Sequence, residues 1–151
     1  SRISDGLSNT LCASEVKAYT PYFRNAGITA PAMPSDPSAI ASLGGDFKTN
    51  SGHTEWVDGR AHQSGFTTVF PPNTKVLLES DGTQYDIDWT NQQEGKSDTN
   101  STYAAITARS HHPGIVNSLR MDGSVHTVGH TIDLNVWQAL STCNGREVIG
   151  L

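Results

Sequence analysis

Six acidic residues, Glu79, Asp81, Asp86, Asp88, Glu94 and Asp98, fall within one stretch of twenty, with a single lysine, Lys96, among them. They are six of the fifteen acids in a chain of 151 residues. Calcium takes roughly six to eight oxygen ligands from carboxylates and carbonyls, which a flexible loop can supply. Asp81, Asp86 and Asp88 are the candidate ligands. Asp86 and Asp88 are two apart, so on a regular strand both carboxylates point to one face. The spacing is not that of an EF-hand. The competing reading is a solvated acidic edge that resists pairing with another strand.

Histidines form a second group. His111, His112, His126 and His130 lie within twenty residues, with His53 and His62 upstream. Zinc needs about three or four such ligands. His126 and His130 are four apart, but Gly129 and the nearby Asp122-Gly123 argue against a helix there, so structural histidines are the default and zinc ranks behind calcium. Ser110, His112 and Asp122 supply the residue types of a nucleophilic triad, which is defined by geometry and not by order. No G-x-S-x-G elbow accompanies them, and Asp122 is better explained as a turn residue. Cys12 and Cys143 lack the context of an activated thiolate. They read as two buried free thiols, or as one bridge tying the two ends together. Glu15 interrupts an apolar run, which predicts an internal pair with an arginine such as Arg109.

The elements that position these residues are short. Asp5-Gly6, Asp58-Gly59, Asp81-Gly82, Asp122-Gly123 and Asn144-Gly145 have tight-turn chemistry. Between them lie β-favouring runs at 10–19, 54–57, 66–70, 75–79, 85–89, 103–110, 115–121 and 124–128. A two-residue loop at Asp122-Gly123 would pair Met121 with Ser124 and Leu119 with His126. Two helices are expected. One has Asp36 as cap, Pro37 at its first position and Gly44 as its stop. The other is capped by Asp133 and carries Leu134, Trp137 and Leu140 on one face. The stretch 19–37 contains four prolines and reads as a loop, as does the polar stretch 95–102. The fold class is therefore α+β, mainly β: an antiparallel sheet of short strands with one or two short helices, in one domain over 1–151.

Composition narrows the partners. Net charge is −5 and no Lys/Arg run exists, which argues against nucleic acid and anionic membranes. No apolar stretch approaches the ~20 residues of a membrane span, so no direct membrane insertion is expected of this chain. No signal peptide is visible. The sequence opens on Ser1-Arg2-Ile3 without Met, as expected of a processed product or a piece of a longer chain.

Four stretches together resemble the prepilin-type H-x9-DG domain family, described as a domain of unknown function. The first is Arg2-Ile3-Ser4-Asp5-Gly6-Leu7-Ser8-Asn9-Thr10-Leu11 with Glu15-Val16. The second is Glu55-Trp56-Val57-Asp58-Gly59 with His62, then Gly65-Phe66-Thr67-Thr68 and Phe70-Pro71-Pro72-Asn73-Thr74. The third is Ser110-His111-His112-Pro113-Gly114 with Val116-Asn117, then Met121-Asp122-Gly123-Ser124-Val125. Here His112 and Asp122-Gly123 have the H-x9-DG spacing. The fourth is Trp137-Gln138-Ala139-Leu140, ending in Glu147-Val148-Ile149. Ile115 stands where the family often has a second Gly, and His126 where a basic residue is common. Such proteins usually begin with a processed leader and a long apolar helix. The resemblance therefore implies the C-terminal part of such a protein: pilin-like without the N-terminal helix, and a soluble domain. It also implies a secreted or cell-surface location, with other pilin-like subunits as partners and no established reaction. The occurrence of calcium-stabilised loops in pseudopilins adds weight to the calcium reading.

Two functions are expected on these grounds. One is a non-enzymatic, pseudopilin-like structural or assembly module. The other is a calcium- or zinc-dependent hydrolase of small esters or lactones, in which a metal polarises the carbonyl and His112 or His62 serves as base, with Asp122 beside them. Convergence separates the two. The hydrolase needs His112, Asp122 and an acidic-loop carboxylate around one pocket. An Asp122 exposed at a hairpin tip would remove most of its support.

Overall fold

Short strands alternate with tight turns because the apolar residues come in brief runs bounded by Asp-Gly pairs. The computed structural model describes residues 3–29 and 31–147. Arg2, Val148 and Ile149, which belong to the prepilin-type resemblance, lie outside the described residues. After a 3-10 turn at Leu7–Asn9 come β1 (Leu11–Ser14) and β2 (Thr20–Arg24), then a 3-10 helix at Pro37–Leu43 and β3 (Asp46–Gly52). Next come α1 (Ala61–Ser64), β4 (Leu77–Ser80), β5 (Thr83–Asp86), β6 (Asp88–Thr90) and β7 (Ala104–Ala105). The hairpin strands β8 (Ile115–Arg120) and β9 (Val125–Gly129) lead into α2 (Leu134–Ala139). The strands form three sheets, ordered β1-β8-β9, β3-β2-β6-β7 and β4-β5. Every strand pair is antiparallel except β2 with β6. The fold is mainly β with short helices, as the sequence predicts.

Both expected helix starts are present. Asp133 accepts from the N–H groups of Asn135 and Val136 and opens α2. Asp36 accepts from the Ser38 N–H, but the helix it opens is of the 3-10 type, closed by Gly44 at φ +67°. Several elements depart from expectation: β3 lies where no strand is predicted, and the run at 103–110 is a strand only over Ala104–Ala105. β2 runs through the proline-rich stretch read as loop, with Pro21 beside a register shift between Thr20 and Tyr22. An irregularity there tolerates a residue that cannot donate a ladder hydrogen bond. The run at 10–19 forms a strand only over Leu11–Ser14. Residues 54–57 are a loop, and the run at 66–70 contributes one isolated bridge, Thr67 to Thr107.

The Asp122-Gly123 hairpin is also one residue out of the expected register. Leu119 pairs with Val125 and Ser118 with His126. Arg120 N donates to Ser124 O and Gly123 N to Arg120 O, so the loop is Met121-Asp122-Gly123. Gly123 sits at φ +88°, which suits the glycine of a three-residue loop. Asp81-Gly82, by contrast, is a two-residue loop with both residues at positive φ, closed by the Ser80–Thr83 pair.

Two apolar cores result. Phe23, Ile40, Phe70, Val76, Ile87, Trp89 and Ala105 fill the first, where Trp89 Nε1 donates to Gly44 O at 2.9 Å. Ala108, Val116, Val128, Trp137 and Leu140 fill the second, beneath α2. Each fully buried large side chain contributes about 1.5–3 kcal/mol.

Candidate functional site

Asp86 ends β5 and Asp88 opens β6 on either side of Ile87, and both carboxylates bond one cation. Arg109 Nη1 bonds Asp88 Oδ1. Its Nη2 reaches Asp86 Oδ1 at 3.1 Å and Ile87 O at 2.9 Å. The same Asp88 oxygen accepts from Thr107 N at 3.1 Å, and Asp86 Oδ1 accepts from Val76 N at 2.9 Å. Asp88 is 2% exposed and Arg109 3%. Burial pushes the Asp88 carboxyl up, but the Arg109 charge and the hydrogen bonds from His53, Arg109 and Thr107 together outweigh it and hold the group below its ordinary value. Burial likewise opposes the Arg109 charge, and Asp88 and Asp86 more than restore it. Two of the three candidate calcium ligands thus share a guanidinium. The third, Asp81, is exposed at the far tip of the β4-β5 hairpin, about 10 Å along the strand from Asp86. No group of three or more His, Cys, Asp or Glu side chains converges as a metal site among the described residues.

His53 completes the cluster, and its role was not visible in the sequence. It is 3% exposed at φ +56°. Its Nε2 lies 3.6 Å from Asp88 Oδ2, and Nδ1 meets Gln63 O at 3.2 Å. A cavity of about 250 Å³ reaches the ring from outside, between Val16, Ala18 and Trp56. Both ring nitrogens face the protein's own oxygens, so neither is aimed to act as a base on a guest in that cavity.

Gln63, 4% exposed, was missed as well, and it shapes the surface over the cluster. Its Oε1 accepts from Thr54 N and Glu55 N at 2.9 and 3.0 Å, and its Nε2 donates to Ser51 O. Asp58 braces the other side, accepting from Arg60 N and Arg60 Nη1. The braced loop holds Trp56 at 84% exposure and Val57 fully exposed. His62, one of the expected bases, lies 2% exposed below it. Its ring stacks on Tyr22 with centroids 4.8 Å apart. Neither nitrogen has a hydrogen-bond partner, and Glu94 Oε2 stands 3.9 Å from Nδ1. Burial pushes its pKa below 6.5 against the pull of Glu94.

The H-x9-DG residues stand at opposite ends of one hairpin. His112 is half exposed before β8, where its Nε2 lies 3.4 Å from Glu15 Oε1. Glu15 does not pair with the Arg109 side chain as expected. Its carboxylate accepts from Asn117 N at 2.7 Å, and only its backbone carbonyl takes the Arg109 N–H. Asp122 is exposed at the hairpin tip, bonded to Ser124 N and Oγ. The Ser124 hydroxyl is the larger cause of its lowered carboxyl pKa, and the Ser124 N–H adds to it. β8 separates the two by about 20 Å. Ser110 Oγ donates to Ile115 O and accepts from His112 N, so it bridges a loop and is not paired with a base. Asn73 clamps the same loop, accepting from Ser110 N and donating to Ile115 O. Gly114, at φ +71°, lies so close to His130 that a Cβ would come within 3.0 Å of its Nδ1. His112, His62, Asp122 and the acidic residues therefore do not line one pocket. Cys12 and Cys143 are both exposed and unbridged, not buried.

These features define a mainly β domain in which an H-x9-DG hairpin, an Asn-braced loop and a buried Asp-Arg-His cluster hold a short-stranded core. The chain belongs to the family described as "Protein of unknown function (DUF1559)", the prepilin-type H-x9-DG family, whose model matches residues 1–135. No curated protein and no solved structure matches it. The Trp137–Leu140 part of the resemblance lies beyond the matched residues. No helix among the described residues is long and apolar enough to cross a membrane.

Proposed function

We propose that this chain is an extracytoplasmic, pseudopilin-like assembly module that docks on other pilin-like subunits through the Trp56-Val57 loop. The observation that carries this reading is the loop itself. A tryptophan and a valine project into solvent from a backbone fixed by buried Gln63 and by Asp58. Fixing a loop in advance lowers the ordering cost of association, and exposed aromatics are the usual anchors of interfaces. The groups with catalytic chemistry support the same reading. Asp86 and Asp88 hold Arg109, Asp122 closes a turn and Ser110 bridges a loop. Membership of a prepilin-associated family supports the location and the class of partner. A photo-reactive residue at position 57 in the native host tests it. Crosslinks to proteins with a prepilin-type N-terminal helix are expected. Crosslinks confined to proteins without one would contradict the proposal.

A further inference from the structure

The loop between β6 and β7 contains Asp98-Thr99-Asn100-Ser101-Thr102. An asparagine followed two residues on by Ser or Thr, with no proline between, is the acceptor signal for N-linked glycosylation and belongs to surface loops of secreted chains. Among the asparagines of this chain, Asn100 alone meets that rule.

The fold presents this stretch and spends none of the three signal side chains on itself. Asp98, Thr99, Asn100 and Ser101 are exposed, Thr102 is half-buried, and no strand or helix includes any of them. Among the described residues nothing holds the side chains of Asp98, Asn100 or Thr102. Asn73, Asn91 and Asn117, by contrast, commit their amides to Ile115, to Ile28 and to Glu15. The loop is anchored by its backbone instead. Gln92 Nε2 donates to Asn100 O at 2.6 Å and Asn91 Nδ2 to Ser101 O at 3.2 Å. Ser97 Oγ accepts from Asn100 N at 2.9 Å and Thr99 N at 3.2 Å. Drawing this stretch into the groove of a modifying enzyme therefore opens a few side-chain hydrogen bonds and no ladder of the sheet, which is a local opening and not an unfolding. Thr102 supplies the hydroxyl two residues after the acceptor. Asp98 adds a free carboxylate two residues before it, which a cationic groove can hold by a charge-assisted hydrogen bond.

We propose that Asn100 is an N-glycosylation site, modified by a transferase that takes its glycan from a lipid pyrophosphate and reads Asp98 and Thr102 on either side. Asn100 Nδ2 attacks the anomeric carbon of the oligosaccharide. The bond from that carbon to the pyrophosphate oxygen breaks, and the lipid pyrophosphate leaves with the electron pair. An N-glycosidic bond forms, a base of the transferase takes one Nδ2 proton, and the amide keeps the other. The inference rests on the extracytoplasmic location proposed above, because the glycan is transferred on that side of the membrane.

The test is mass spectrometry of the chain purified from fractionated cells of the native host. The tryptic peptide 97–109 should carry an oligosaccharide, with fragment ions that place it on Asn100. Asn100→Gln and Thr102→Val should remove it and Thr102→Ser should keep it. Asp98→Asn should cut occupancy about tenfold, as for the loss of one charge-assisted hydrogen bond. Melting curves that match the parent separate loss of the signal from loss of the fold. An exported chain with a bare Asn100 overturns the proposal, as does a glycan that persists in Asn100→Gln or full occupancy in Asp98→Asn. A chain confined to the cytoplasm overturns the proposed location as well.

Discussion

Glu15 and His112 meet at the entrance to β8, where Glu15 Oε1 lies 3.4 Å from His112 Nε2 and Glu15 Oε2 accepts the Asn117 N–H at 2.7 Å. β1 stops at Ser14, so the carboxylate continues the ladder that the strand has left. The nine residues between His112 and Asp122 hold one strand of a hairpin with its entry loop. The motif spacing is therefore the length of β8, not the reach between two reacting groups.

Glu15→Ala leaves the Asn117 N–H without its acceptor and should cost about 1–3 kcal/mol in urea unfolding. His112→Ala should cost under about 1 kcal/mol, because an exposed ion pair contributes little. A loss from His112→Ala as large as that from Glu15→Ala would mean that the histidine, not the backbone hydrogen bond, secures β8.

Helix α2, the Asp-Gly turns and the strands of the last hairpin are legible in the sequence because their signals are local: a cap three residues from the N–H it caps, an apolar face at helical spacing. β2 and β3 are not. Pro21 masks one, and Phe47 is the only large apolar residue in the other. Asp-Gly marks the hairpin turn but does not fix its length, which is why the register expected at Leu119 was off by one. In the candidate site, the shared face of Asp86 and Asp88 was visible. Their cation was not, because Arg109 lies 23 and 21 residues further on. The bracing by Gln63 left no signal, since a four-residue helix is too short for its periodicity to betray it.

Arg109→Met should be among the most damaging single changes. It leaves Asp88 charged and buried, at a cost of about 3–5 kcal/mol. Adding Asp88→Asn should recover part of the loss. A double-mutant cycle in denaturant reads the coupling, and additive losses would mean that the two side chains do not act as a pair.

Acid should destabilise the fold in two windows. The His62 pKa is depressed when folded, so the unfolded chain binds its proton first and stability falls as pH drops below about 6.5. The folded Asp88 carboxyl lies below 3.8. Its contribution is whole above that value and disappears as pH falls through the lower folded one. His62→Phe keeps a ring against Tyr22 and removes the titration. It should flatten the decline in melting temperature that begins below about pH 6.5 and leave the more acidic decline in place. An unchanged profile in the variant would assign the upper window to another group.

Gly123→Ala should destabilise the β8-β9 hairpin by about 1 kcal/mol or more, since φ +88° is strained for any residue with a Cβ. Thermal melts read this directly. A neutral result would mean that the three-residue loop is not fixed at this glycine.

The Trp56→Ser/Val57→Ser variant tests the assembly role most directly. Both side chains are exposed, so the melting curve should stay within about 0.5 kcal/mol of the parent. Co-purification with prepilin-type subunits from the native host should be lost. Association retained at parental level by this folded variant would contradict the account.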